Sequence, residues 1–169
     1  MRERKRSTPV EAERKPRDLE LADNRRAFYD YAIDERVEAG IALRGTEIKS
    51  LRAGRANLRD GYVRIENGQA WLRNAHIAPW THAARDNHEP LRPRRLLLHK
   101  SEIGHLAGAA SQKGYTIVPL RIYTKEGRAK VELGLARGKR RYEKRDTIKR
   151  REAAREIDAA IRRRAPRTS

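Results

Sequence analysis

The residue types able to do acid–base or metal chemistry are few and scattered. The five histidines are His76, His82, His88, His99 and His105. His82 and His88 stand in a proline-rich stretch, at no recognised zinc-ligand spacing. The chain has no cysteine, which excludes disulfides and Cys-based zinc sites and fits the cytosol. His99 and His105 could serve as acid and base in a ribonuclease, but no activated nucleophile accompanies them. Glu35 and Glu38 lie three residues apart, a weak signal for paired carboxylates at work in general acid–base catalysis. There is no phosphate-binding loop, no dinucleotide fingerprint and no RNP aromatic motif, and the chain has one Phe. The sequence points to a protein that is not an enzyme and needs neither metal nor cofactor.

The chemistry it does support is anion binding. Forty-one Lys and Arg stand against 23 Asp and Glu, giving a net charge of +18. Self-repulsion of that size is relieved by a polyanionic partner. A membrane surface is the rival polyanion. However, no apolar run approaches the ~20 residues of a membrane span, and no apolar leader stands near the N-terminus. The charge is uneven: residues 137–169 hold 14 basic and 5 acidic side chains, half of the net excess. Within them, Gly138-Lys139-Arg140-Arg141-Tyr142-Glu143-Lys144-Arg145 packs cations around a single aromatic. The cations suit phosphates. Tyr142 is either an ordinary exposed tyrosine or a stacking platform for a base, worth roughly 1–3 kcal/mol.

Positioning such groups requires a core. Residues 1–18 contain two prolines, many charges and almost no apolar groups, so we expect them to be disordered. A domain is expected over 19–137 and a basic tail over 138–169. Phe28 to Leu43 reads as two strands: Tyr29, Tyr31 and Ile33 alternate with polar or small neighbours, and Gly40 marks a bulge or a close backbone approach. Thr46 is placed to cap a short helix from Glu47 to Ala53 with Ile48 and Leu51 facing the core, ended by Gly54. Residues 62–66 and 69–73 alternate around Asn67-Gly68, the signature of a type I′ hairpin. Residues 79–93 read as a loop. A helix is expected from about His99 to Gln112, ended by Gly114. Tyr115 to Thr124 and Arg128 to Arg137 form a second hairpin around 125–127. Six short strands with a helix before the last hairpin suggest a mainly β protein, a small OB-like antiparallel β-barrel with flanking short helices. In the tail, Ala153, Ile157 and Ile161 form only a thin apolar stripe, so a helix there should be marginal alone and ordered by an anionic surface.

Several segments, in order, resemble one family. They are Asn24-Arg25-Arg26-Ala27, Val37-Glu38-Ala39-Gly40-Ile41-Ala42-Leu43, Gly45-Thr46-Glu47-Ile48-Lys49-Ser50-Leu51-Arg52-Ala53-Gly54, Arg95-Leu96-Leu97-Leu98-His99-Lys100, Gln112 through Leu120, and Gly138-Lys139 leading to Lys144-Arg145. Together they are similar to the SmpB family, the SsrA-binding proteins that partner transfer-messenger RNA. The resemblance implies a cytoplasmic, non-enzymatic role in trans-translation, with transfer-messenger RNA and the small ribosomal subunit and its rRNA as partners and a monomer in the RNA complex. It implies that Asn24, Glu38, Leu97 and Lys130 serve transfer-messenger RNA. It also implies that Gly138, Lys139, Tyr142, Lys144 and Arg145 serve the ribosome, the tail becoming helical in the empty mRNA channel. Tyr29 stands where the family usually has His, and Glu143 where Asp is common. Glu38 is an unexpected acid on an RNA surface; it could accept hydrogen bonds from base amino groups or pair with a nearby Arg. Leu97 could shape the surface or fill the core, and Lys130 suits a phosphate. Two alternatives stay open: a non-selective ribosome-associated RNA-binding protein, and a ribonuclease.

Overall fold

The computed structural model describes residues 19–83 and 86–164, so the extension at 1–18 lies outside the described residues. The elements are, in order, β1 (Glu20–Asp23), α1 (Arg25–Asp30), β2 (Tyr31–Ile41), α2 (Gly45–Arg52), β3 (Ala56–Asn57), β4 (Tyr62–Glu66), β5 (Gln69–Arg73), β6 (His76–Ile77), β7 (Arg94–Leu97), α3 (Lys100–Ala110), β8 (Tyr115–Lys125), β9 (Arg128–Gly138) and α4 (Arg141–Arg164).

The mainly β reading holds, with differences in its parts. Phe28 and Tyr29 are helical, not the start of a strand. Asn24 decides this: its Oδ1 accepts the Ala27 amide at 3.2 Å and coils the chain into α1. β2 is then one strand of 11 residues instead of two. Its irregularity against β9 falls between Ile33 and Glu35, not at Gly40. Gly40 does mark a close approach, since a Cβ built there would stand 3.0 Å from the Leu97 Cβ. Nine strands, not six, are present among the described residues. β3 and β6 are two residues each, too short for alternation to reveal.

Strand pairing is antiparallel throughout, in the order β1–β8–β4–β5–β7–β2–β9, and β9 pairs back onto β8. One edge of β8 meets β4 at Ile117 and β1 near Tyr123; the other carries β9 along its length. Between Pro119 and Arg121 the β8–β9 register shifts. The Asn24 amide donates to the Leu120 carbonyl at 2.8 Å there, and its Nδ2 to the Pro119 carbonyl at 2.9 Å. Two positive φ angles, at Asn67 (51°) and Gly68 (69°), give the β4–β5 turn its expected type I′ form. Glu126 and Gly127 repeat this between β8 and β9, a two-residue turn. Leu72, Leu96, Leu106, Ile117, Ile122 and Leu133 lie at the centre of the core.

α2 is fastened by a charge. Thr46 does not cap it. The helix starts at Gly45, and Glu47 reaches back to accept the Arg44 amide at 2.6 Å. Glu47 is fully buried, and Ile48 only half-buried. Its Oε1 accepts from Arg94 Nε (2.8 Å) and Arg92 Nε (2.8 Å), and Oε2 accepts from Arg92 Nη2 (2.5 Å). Arg94, also fully buried, sends its other donors to the carbonyls of Ala75 and Pro90. Thr46 instead meets His88 Nδ1 at 2.9 Å, while His88 Nε2 lies 3.0 Å from the Ile77 carbonyl. A carbonyl only accepts, so Nε2 carries the hydrogen.

Burial alone would raise the Glu47 pKa, but hydrogen bonds from Arg92, the Arg44 amide and Arg94 outweigh it and hold the carboxyl below its ordinary value. Its stabilising contribution is therefore complete above the unfolded-state pKa of about 4.3 and is lost as pH falls through the lower folded value. Glu47→Gln is expected to cost about 3–5 kcal/mol at pH 7, because it strands two guanidinium groups. The gap between variant and wild type should narrow below about pH 4. Urea unfolding at pH 7 and pH 3 measures both.

Candidate nucleic-acid interface

β2, β7 and α3 border a concave groove of about 1090 Å³. Glu38, Leu97 and Lys130, far apart in sequence, all line it. Leu97 is 52% exposed and covers Gly40, so it shapes the surface and is not a core residue. The lining is electrically mixed: Arg36, Arg95, Lys100 and Lys130 share it with Glu35, Glu38 and Glu102. His99 and His105 are there as well, and His105 Nε2 lies 2.7 Å from Glu35 Oε2. Among the described residues no group of three His, Asp or Glu could hold a metal ion.

Alternation along β2, β9 and β8 turns Val37, Val131 and Ile122 towards the core and leaves Arg36, Glu38, Lys130, Glu132, Arg121 and Tyr123 on the outer face. The register sets Glu38 directly opposite Glu132, a repulsive pairing unless cations intervene. They do so on both sides. Glu132 takes Arg121 Nε at 3.0 Å and Arg36 at 3.9 Å. Glu38 takes Lys125 Nζ at 3.0 Å and Lys130 Nζ at 3.5 Å, and it also accepts the Tyr123 hydroxyl. Arg121 in turn lies 5.0 Å over the Tyr123 ring. The Tyr123 hydrogen bond, then that of Lys125, hold the Glu38 carboxyl below its ordinary pKa. Burial and the bond to Glu38 push the Tyr123 phenol up to about 12. Lysines, not an arginine, pair with Glu38. The sequence did not single out Tyr123 and Lys125; Lys130 of β9 pointed to the right surface, but not to the neighbouring strand.

Asn24 sits elsewhere. It is buried, and both hydrogens of its amide nitrogen are used on the Leu58 and Pro119 carbonyls, so it holds α1 and β8 together. The tail forms α4, which begins against α1. The Lys139 amide donates to the Asp30 carbonyl at 2.9 Å, and Lys139 Nζ donates to the Phe28 carbonyl at 2.9 Å and to Thr147 at 3.1 Å. Lys144 Nζ is 3.3 Å from Asp30 and 5.8 Å from the centre of the Tyr29 ring. Gly138 ends β9, and Arg145 is exposed. The Tyr142 side chain lies outside the described residues. No helix among the described residues is long and apolar enough to cross a membrane.

A strongly basic β domain with a charged groove and a cationic helical tail defines a polyanion-binding protein. The chain belongs to the SmpB family, whose model matches residues 21–163. The SsrA-binding protein of Roseiflexus castenholzii is 59% identical over 146 residues, covering 86% of this chain and 92% of the relative. That of Carboxydothermus hydrogenoformans is 57% identical over 142 residues, covering 84% and 95%. A solved chain described as "tmRNA-SmpB: a journey to the center of the bacterial ribosome" superimposes with a TM-score of 0.62 at 50% identity, covering 75% of this chain and 93% of that one.

Tyr123→Phe removes the largest influence on the Glu38 carboxyl, and its pKa is expected to rise towards the ordinary glutamate value. Carboxyl-detected NMR titration follows the shift, and an unchanged Glu38 titration would contradict the hydrogen bond.

Proposed function

We propose that this chain binds transfer-messenger RNA and takes part in trans-translation, delivering that RNA to stalled ribosomes in the cytoplasm. The carrying observation is the family match over residues 21–163, joined to the meeting of Glu38, Leu97 and Lys130 in one groove. Its relatives are named for binding SsrA, and the solved chain for tmRNA and the bacterial ribosome.

On this reading the ring of pairings from β8 through β4, β5, β7, β2 and β9 back to β8 is a small OB-like barrel spanning 19–137. Its groove face is the transfer-messenger RNA surface, with Lys130 contacting phosphate and Leu97 fitting the RNA contour. Asn24 contributes by bracing α1. The tail, 138–169, is the ribosomal surface: Gly138 releases it from β9, Lys139, Lys144 and Arg145 contact rRNA of the small subunit, and Tyr142 stacks on a base. It acts as a monomer with the RNA and uses neither metal nor cofactor.

The two surfaces should fail separately. Truncation after Gly138 is expected to leave binding to the tRNA-like domain of transfer-messenger RNA within about two-fold, while abolishing tagging on stalled ribosomes. Gel-shift and reconstituted tagging assays read the two activities, and equal loss of both would sink the division of labour. A protein binding RNA without selectivity would instead show the same affinity for unrelated RNA of equal length, with a steep salt dependence.

A further inference from the structure

We infer that Glu38 acts on RNA through Lys125 and Lys130, gathering them into a two-lysine phosphate clamp, and that Tyr123 is the positioning residue that aims Glu38. The inference rests on the reading of this face as an RNA surface and assigns its chemistry. A carboxylate on an RNA surface invites a role as acceptor for base amino groups. The geometry argues against that here, because both oxygens of Glu38 are occupied. Oε2 holds the Tyr123 hydroxyl and Lys125 Nζ at 3.0 Å; Oε1 has Lys125 Nζ at 3.3 Å and Lys130 Nζ at 3.5 Å. A base would have to displace a charge-assisted hydrogen bond to reach either oxygen.

The same contacts give the lysines what they lack by themselves. An ammonium on a four-carbon stem is a mobile point charge, and it loses much rotamer freedom on binding. Two ammoniums anchored on one carboxylate are already converged, and repulsion between them is offset by the carboxylate. Each ammonium has three hydrogens, and at least one on each stays free of Glu38. Both lysine side chains remain open to solvent, 50% for Lys125 and 30% for Lys130. The cluster carries a net +1, suited to a single phosphate. Lys125 ends β8 and Lys130 belongs to β9, so no one strand sets their separation; Glu38, on β2, does so from across the sheet. Tyr123 donates to the carboxylate only while its phenol keeps its proton, and a phenol pushed up to about 12 does so at any physiological pH.

The test is a double-mutant cycle in the full-length protein, with the tRNA-like domain of transfer-messenger RNA as probe. Glu38→Gln and Tyr123→Phe are each made in the wild type and in a Lys125→Met/Lys130→Met background. Acting through the lysines, each should weaken binding about five-fold or more in the wild type and less than about two-fold in the lysine-free background. Lys125→Met and Lys130→Met should together lower the slope of log K against log salt by roughly 0.7–0.9, the release expected for one phosphate. Loss of the same factor in both backgrounds would make Glu38 a direct reader and overturn the clamp. Tighter binding by Glu38→Gln, as simple removal of a negative charge predicts, would overturn it too. Thermal melts check folding, and Tyr123→Phe, which keeps the ring, carries the test should Glu38→Gln be unstable. Loss of preference for the tRNA-like RNA over an unrelated RNA in the wild type is a different result, and it counts against the proposed function and not against the clamp.

Discussion

Glu47 has no exposed surface, yet it sits between two guanidinium groups and a backbone amide. Desolvating such an ion pair costs several kcal/mol per charge, so an apolar replacement of similar volume could be as stable. What the pair supplies is position. Arg94 belongs to β7, and its remaining donors are spent on the carbonyls of Ala75 and Pro90, at the two ends of the connection between β5 and β7. Arg92 comes from that connection, Glu47 from α2, and His88 ties the same connection to Thr46 of α2. One carboxylate therefore fixes where β7 enters the sheet. Leu97 is three residues beyond Arg94 on the same strand, and its placement over Gly40 follows. The groove wall is thus set by a charge network buried on the other side of the strand.

The outer face obeys a related rule in a wetter setting. Glu38 and Glu132 oppose each other, and a protein of net charge +18 can supply cations to both without effort. The partners differ in kind. Arg121 approaches Glu132 through its planar guanidinium while stacking over Tyr123, so its orientation is fixed twice. Lys125 and Lys130 meet Glu38 as point charges and keep donors to spare. The first carboxylate is therefore closed off and serves the sheet. The second holds cations that remain available to an anion.

Much of this was legible in the residues. Alternation with Asn67-Gly68 and Glu126-Gly127 gave both hairpins, because their turns are local chemistry. Gly40 announced a close approach for the same reason. The misses share one cause: the deciding partner is remote. Tyr29, Tyr31 and Ile33 alternate as a strand should, and the last two do lie in β2, but Tyr29 is helical because Asn24, held by Leu58 and Pro119, 34 and 95 residues away, caps α1. The α2 pattern marked Ile48 and Leu51 for the core and said nothing of Glu47, whose partners Arg92 and Arg94 lie 45 and 47 residues on. Glu38 was singled out from its family position, while Tyr123 and Lys125, 85 and 87 residues away, could not be assigned to it without the sheet register. Pattern reports which face a side chain takes; it does not report what arrives from another strand.

The tail carries the same distinction between fixed and available charge further. Its polar contacts with the core are made by Lys139 and Lys144, at the start of α4, and end on Phe28 and Asp30 of α1. Beyond that turn Ile157 and Ile161 are 60% and 63% exposed, and the helix adds cations without adding a core. A helix with so thin an apolar stripe gains little from packing, and its stability depends on what screens its charge. An anionic surface does both: it removes the repulsion and rewards the repeating arginines. Among the described residues the protein itself orients the root of α4, through two lysines that an RNA phosphate would also attract. Whatever path the tail takes on a polyanion must start from the direction that Asp30 and Phe28 impose on it.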